Sequence, residues 1–132
     1  MSFVLPDTSV WARSRLATVR PLLDAAIRAD RVLTTGPIML ELLRGTRDRR
    51  ELERQARWYD ALPRVSDALA LTGRARAVQQ AMSWRGYHSG PSAVDLLTAA
   101  AAEAVGAELW HCDRHFELIR EVTKQPMRRL AA

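Results

Sequence analysis

With 132 residues, 48% of them hydrophobic and 27% charged, the chain has the length and composition of one globular domain with a real core, which excludes disorder. No apolar run approaches the roughly 18 residues needed to cross a bilayer. The N-terminus lacks the basic-then-apolar pattern of a secretory signal, and the lone Cys112 rules out an intrachain disulfide, so the expected compartment is the reducing cytoplasm, with no membrane involved.

The periodicity predicts strands and helices in alternation, with no linker, repeat or low-complexity stretch. Residues 3–5 (Phe-Val-Leu) form a short apolar strand closed by Pro6, and helical spacing covers residues 9–17 and 21–28. A second strand spans 31–34, and Gly36-Pro37 opens a helix, since Pro suits a first turn. A highly charged helix covers 47–62, Arg64-Val65 is a brief strand, and a long helix covers 67–85. The loop 86–91 leads to an Ala-rich helix over 92–105, ended by Gly106 as a C′ residue. Residues 108–112 are the next strand, 114–123 the last long helix, and 127–130 a final edge strand. Such alternation implies an α/β fold with a mostly parallel sheet and helices on both faces.

Four acids stand where strands hand over to helices, each tied to a helix-start signal: Asp7, Glu41, Asp95 and Asp113. Each has an ordinary explanation when taken alone. Asp7 and Asp113 suit N-caps, Asp95 follows Ser92 at capping-box spacing, and Glu41 can pair with Arg44 along its helix. Together they argue differently. In an open parallel sheet the carboxyl ends of the strands share one crevice, and carboxylates gathered there repel one another unless a cation lies between them. Glu41 is set among Ile38, Met39, Leu40, Leu42 and Leu43, and Asp95 heads a helix apolar nearly all round, where an unpaired charge is costly. A hard divalent cation with oxygen ligands resolves this.

The charge balance points to the substrate. Twenty Lys and Arg face fifteen Asp and Glu, a net charge of +5, and committing the four acids to metal leaves an even larger cationic excess. That excess favours a polyanion, nucleic acid above all, although all but Lys124 of these cations are Arg, which genomic base composition alone would also produce. A metal cluster on a basic chain points to phosphodiester chemistry.

The segments Asp7-Thr8-Ser9, Glu41-Leu42-Leu43-Arg44-Gly45, Asp95-Leu96-Leu97-Thr98-Ala99-Ala100 and His111-Cys112-Asp113-Arg114-His115-Phe116-Glu117-Leu118-Ile119 together resemble the PIN domain. Within it the chain is most similar to the VapC toxins of bacterial toxin–antitoxin pairs, from residue 3 to residue 130, with Thr123-Lys124-Gln125-Pro126 also like that subgroup. Each motif is weak alone; the four in this order and spacing are specific. The resemblance implies one PIN domain over residues 1–132, an α/β/α sandwich. It also implies a magnesium-dependent endoribonuclease that cuts structured RNA, often tRNA, inhibits translation and is silenced by a VapB antitoxin. Homodimers and toxin–antitoxin hetero-oligomers are the implied assemblies.

By this resemblance Asp7, Glu41, Asp95 and Asp113 are the catalytic acids. Asp7, Asp95 and Asp113 hold the ion, Asp113 directly or through water; the ion is Mg²⁺ with Mn²⁺ as a substitute, and Glu41 acts through water or orients the nucleophile. The chain departs from the pattern at His115, where many relatives carry a further acid. Imidazole matches Mg²⁺ poorly and Mn²⁺ better, so His115 is either a second-metal residue or a solvated first-turn residue. Ser9 is either a partner of a carboxylate or phosphate oxygen or an ordinary helix serine. Arg13, Arg15, Arg44, Arg47 and Arg114 lie near the crevice as RNA-backbone contacts, or are simply solvated charges. Trp11 either stacks a base or packs in the core, while Trp58, Tyr59 and Trp84 are packing or interface residues. Cys112 alternates with Trp110 in a buried strand and reads as packing.

Rival functions are a DNA-directed metallonuclease and an inactive PIN-like RNA-binding or interaction module. A receiver domain wants paired acids after its first strand, where Asp7 stands alone, and Gly86-Tyr87-His88-Ser89-Gly90 lacks the lysine of a phosphate-binding loop.

Overall fold

The structure, a computed structural model, describes residues 2–66 and 69–132. Its centre is a sheet of three parallel strands, β1 (Val4–Pro6), β2 (Glu108–His111) and β3 (Met127–Arg129), in the order β1-β2-β3. Leu5 lies opposite Leu109, and Leu109 opposite Met127. Parallel bridges Val4 to Val32 and Thr34 to Arg64 extend the sheet beyond β1. Neighbouring strand residues point to opposite faces, yet Leu109, Trp110 and His111 are all buried, so both faces are covered. The α/β expectation is borne out, with every described strand pairing parallel.

The helices are α1 (Thr8–Ala12), α2 (Arg20–Arg28), α3 (Gly36–Arg44), α4 (Arg49–Asp60), α5 (Leu69–Ser83), α6 (Ala93–Val105) and α7 (His115–Thr123). Their ends follow sequence signals. Thr35 and Asp48 cap α3 and α4 by accepting from the Ile38 and Glu51 N–H groups, and Pro37 occupies the first turn of α3. The α6 helix opens on a complete capping box between Ser92 and Asp95 and closes on Gly106 at φ 69°. Its alanines 99–102 are buried, and their small side chains let α6 pack closely on α5, α7, α3 and β2.

Several expected elements are shorter in the structure; the charged helix expected over 47–62, for one, runs Arg49–Asp60. The first helix ends at Ala12 instead of residue 17 and continues as turns closed by bonds such as Ser14 N to Trp11 O and Leu16 N to Arg13 O. Only Val10 and Trp11 of α1 are buried, and residues 15–18 are exposed, so no packing holds a longer helix together. The strand expected over 31–34 is reduced to the bridges at Val32 and Thr34, because it pairs with β1 on one side at one end and with Arg64 on the other side at the other. The strand at Arg64-Val65 is likewise one bridge. The start expected for the long helix at Asp67 lies outside the described residues.

Trp11 is buried, and its ring meets Trp58 at 5.4 Å and Tyr59 at 5.6 Å in edge-to-face contacts. It is a packing residue, closed off from a nucleic-acid base. Trp58 shares that cluster, whereas Trp84 is 85% exposed and packs in no core.

Candidate metal centre at the switch point of the sheet

From β1 the chain steps outward to Val32 and then to Arg64; after α6 it crosses back to β2 and steps on to β3. The direction of winding therefore reverses between β1 and β2, and the carboxyl ends of those two strands frame a crevice of the kind where α/β sheets bind ligands. Asp7 follows β1 directly, and Asp113 stands two residues beyond β2. Glu41 arrives on α3 and Asp95 on the first turn of α6. The resulting cleft encloses about 400 Å³ and is lined by Asp7, Thr8, Ser9, Ala12, Glu41, Gly90, Ser92, Asp95, Asp113 and His115.

Backbone and side-chain bonds fix this geometry. The Asp7 N–H donates to the Trp110 carbonyl at 2.8 Å, and the Cys112 N–H donates to the Ser9 hydroxyl at 2.9 Å, so the ends of β1 and β2 are tied twice. The Asp7 carboxylate accepts from the Ser9 N–H at 3.0 Å through Oδ2, which makes Asp7 the N-cap of α1. Its other oxygen, Oδ1, is buried without a hydrogen-bond partner. The Thr8 hydroxyl donates to Glu41 Oε1 at 2.5 Å, holding an acid from α3 against the start of α1. Asp95 accepts from the Ser92 N–H at 2.8 Å. Asp113 Oδ1 accepts from the His115 N–H at 2.9 Å, and the Asp113 N–H donates to His111 Nδ1 at 3.3 Å. Burial pushes the His111 imidazole down from its ordinary pKa, which keeps it neutral and able to accept that bond.

The electrostatics show how heavily the site is loaded. Asp7 is 4% exposed, and burial raises its pKa to about 6 against the opposing bonds from Ser9, with Asp95 adding repulsion. The Asp95 carboxyl is also raised, chiefly by burial and further by Asp113, while the Ser92 bonds and His115 oppose the shift. Ligand atoms of Asp95, Asp113 and His115 lie within 4.8 Å of one another. All the donors except His115 are oxygens, and an orphaned buried carboxylate oxygen wants a cation, so the residues fit a hard divalent ion.

The cleft thus gathers Asp7, Glu41, Asp95, Asp113, His115 and Ser9. Caps and cleft residues coincide: Asp7 and Asp95 do both jobs. The arginines stay outside the lining. Arg13 donates to the Ser9 carbonyl at 3.2 Å, and Arg47 pairs with Glu51 at 2.8 Å. Arg15 and Arg44 are exposed, and Arg114 lines a neighbouring cleft with Tyr87, Ser89 and His115. Glu41 bonds Thr8, and no ion pair joins it to Arg44 among the described residues. Cys112 is buried and burial raises its thiol pKa, which suits packing and not nucleophilic attack. Thr8, Ser92 and Gly90 were missed as cleft residues. Thr8 adjoins Asp7 in the first motif, but its partner is 33 positions away, a contact that no local pattern announces.

The PIN domain family model matches residues 4–122. Ribonuclease VapC21 of Mycobacterium tuberculosis is 32% identical, with 93% of this chain and 90% of that protein covered. Ribonuclease VapC18 of the same organism is 29% identical over 91% of this chain and 89% of its own. Among solved structures, DNA-bound VapBC from Salmonella typhimurium superposes with a TM-score of 0.79 at 14% identity, covering 99% of this chain and 100% of that one, a likeness of fold. Family model, relatives and fold agree: the chain belongs to the PIN domain family and, within it, to the VapC ribonucleases.

Proposed function

We propose that this protein is a magnesium-dependent endoribonuclease toxin that cuts structured RNA, tRNA foremost, and inhibits translation until a VapB-type antitoxin neutralises it in the cytoplasm. The observation that carries this is the convergence of Asp7, Glu41, Asp95 and Asp113 on one cleft, with Asp7 Oδ1 buried and unpartnered. The relatives' name, ribonuclease, and the pairing of this fold with an antitoxin in the Salmonella complex support the substrate and the partner.

In this proposal Asp7, Asp95 and Asp113 hold the ion. When bound, a divalent ion acidifies water and offsets charge on the phosphate as the bond breaks. The chain's own residues do the rest. Glu41, fixed by the Thr8 hydroxyl, orients the attacking water. Ser9 keeps the Asp7 carboxylate aimed and ties it to β2. Arg13, Arg15, Arg44, Arg47 and Arg114, outside the cleft, contact RNA phosphates on its approaches. Homodimers and hetero-oligomers with the antitoxin are the proposed assemblies.

The test is to incubate purified, antitoxin-free protein with total cellular RNA and Mg²⁺ or Mn²⁺, and to map new RNA ends by sequencing. Discrete new ends are expected from the wild type and none from Asp7→Asn or Asp95→Asn. Those variants keep a side-chain oxygen for capping but lose the charge. Wild-type rates in either variant at saturating Mg²⁺ would overturn the site.

A further inference from the structure

His115 stands in the first turn of α7, half-buried and held in place. Its main-chain N–H is held by Asp113 Oδ1 at 2.9 Å, and its ring Nδ1 stands 3.4 Å from the same oxygen. That second separation exceeds the usual N–H···O length, so the ring is placed beside the carboxylate without a strong bond to it. The ring also lies against the main chain of Gly90: a Cβ added there would be 3.5 Å from His115 Cδ2. An imidazole is thus set at the mouth of an acid-lined cleft, with Asp95 and Asp113 ligand atoms inside 4.8 Å. The orphaned Oδ1 of Asp7, on a side chain 4% exposed in the same cleft, independently calls for a cation.

Carboxylates alone suit Mg²⁺, which demands hard oxygen ligands and gives up water reluctantly. An imidazole nitrogen changes the balance, because affinity at nitrogen-containing sites rises from Mn²⁺ to Co²⁺ along the first transition row. We propose that Asp95, Asp113 and His115 form a mixed oxygen–nitrogen corner of the cleft that selects a first-row transition cation over Mg²⁺. Mg²⁺ still supports the cleft through its carboxylates; the corner gives Mn²⁺ and Co²⁺ an additional ligand. This rests on the metal-dependent function proposed above, but not on RNA being the substrate.

The selectivity is read by calorimetric titration of the protein with Mg²⁺, Mn²⁺ and Co²⁺ chlorides, alongside the visible absorption of the Co²⁺ form. Wild type is expected to bind Co²⁺ and Mn²⁺ more tightly than Mg²⁺. In His115→Ala and in His115→Gln, which keeps much of the bulk, Co²⁺ binding should weaken about tenfold or more, Mn²⁺ binding less, and Mg²⁺ binding hardly at all. The Co²⁺ spectrum should change in both variants. His115→Asp should strengthen Mg²⁺ binding and narrow the gap. Equal weakening for the three ions, or unchanged ratios and an unchanged spectrum, would overturn the inference. A wild type that cuts RNA while His115→Ala keeps its ion ratios overturns this inference alone. One that shows the graded ion loss but leaves RNA uncut overturns the proposed substrate alone.

Discussion

Asp7 carries the tension of the site in a single side chain. Burial lifts its pKa to about 6, so between roughly pH 4 and 6 the native chain holds a proton there that the unfolded chain, with an ordinary carboxyl near 3.9, has already released. Stability of the metal-free protein should therefore fall as pH rises through that window and level off above it. Asp7→Asn removes the penalty while keeping a capping oxygen. In denaturant melts with chelator it should be more stable than wild type at pH 7.5 by roughly 2–3 kcal/mol, and the difference should vanish by pH 4. A wild type equal to Asp7→Asn at both pH values would show that the carboxylate is not strained. Ser9 makes a second case at this scale. Ser9→Ala leaves the Cys112 N–H without its partner, and should cost about 1–3 kcal/mol in the same melts and lower RNA cleavage. That Asp7, Glu41, Asp95 and Asp113 gather in one cleft was legible in the sequence, because helix starts and apolar surroundings marked them. The Ser9–Cys112 and Thr8–Glu41 contacts were not, since both join residues far apart in the chain.

Among the elements, α6 was read nearly to the residue. Its capping box, alanine run and closing glycine are all local signals, and local signals decide an element when packing agrees with them. The same helix gives a paired prediction. Gly106→Ala forces a Cβ into the left-handed region at φ 69° and should destabilise by about 1 kcal/mol. Ser92→Ala breaks the capping box, should cost roughly 0.5–2 kcal/mol, and should also loosen Asp95 in the cleft. Thermal melts check the first effect and ion titrations the second. Gly106→Ala should leave ion binding alone, so a matching loss there would mean that α6 acts on the site through general stability. The first helix and the strand at 31–34 misled for a physical reason. Helical spacing and β-branched residues both promised longer elements, but α1 is buried only at Val10 and Trp11, and the strand, buried from Val32 to Thr34, changes its pairing partner from one end to the other.

For the whole molecule, the alternating pattern was enough to give a parallel α/β sheet, yet the switch point between β1 and β2 depends on lane order, which periodicity does not encode. That layout puts an acidic cleft inside a cationic chain, twenty Lys and Arg against fifteen Asp and Glu. A silencing antitoxin can use the same contrast by laying an amphipathic helix in an apolar groove and directing an Arg or Lys at the acids in place of the ion. Its affinity should then fall as Mg²⁺ rises, fall when its cation is replaced by Ala, and fall with Asp95→Asn. Binding titrations across a Mg²⁺ series test this; an affinity indifferent to all three changes would place silencing elsewhere on the surface.

The double tie between the ends of β1 and β2 spans nearly the whole chain: Ser9 and Cys112 are 103 positions apart. During synthesis Asp7, Glu41 and Asp95 are all joined to the growing chain before the strand that must lie between β1 and β3 is made. A nascent chain stopped short of residue 108 carries three of the four acids but lacks the middle strand that draws them together. Such a chain should leave RNA intact, so the ribosome that makes this protein is spared its activity while most of it is being translated. Stalled chains released at successive lengths, each assayed for cleavage, should show activity only once the chain extends past Asp113.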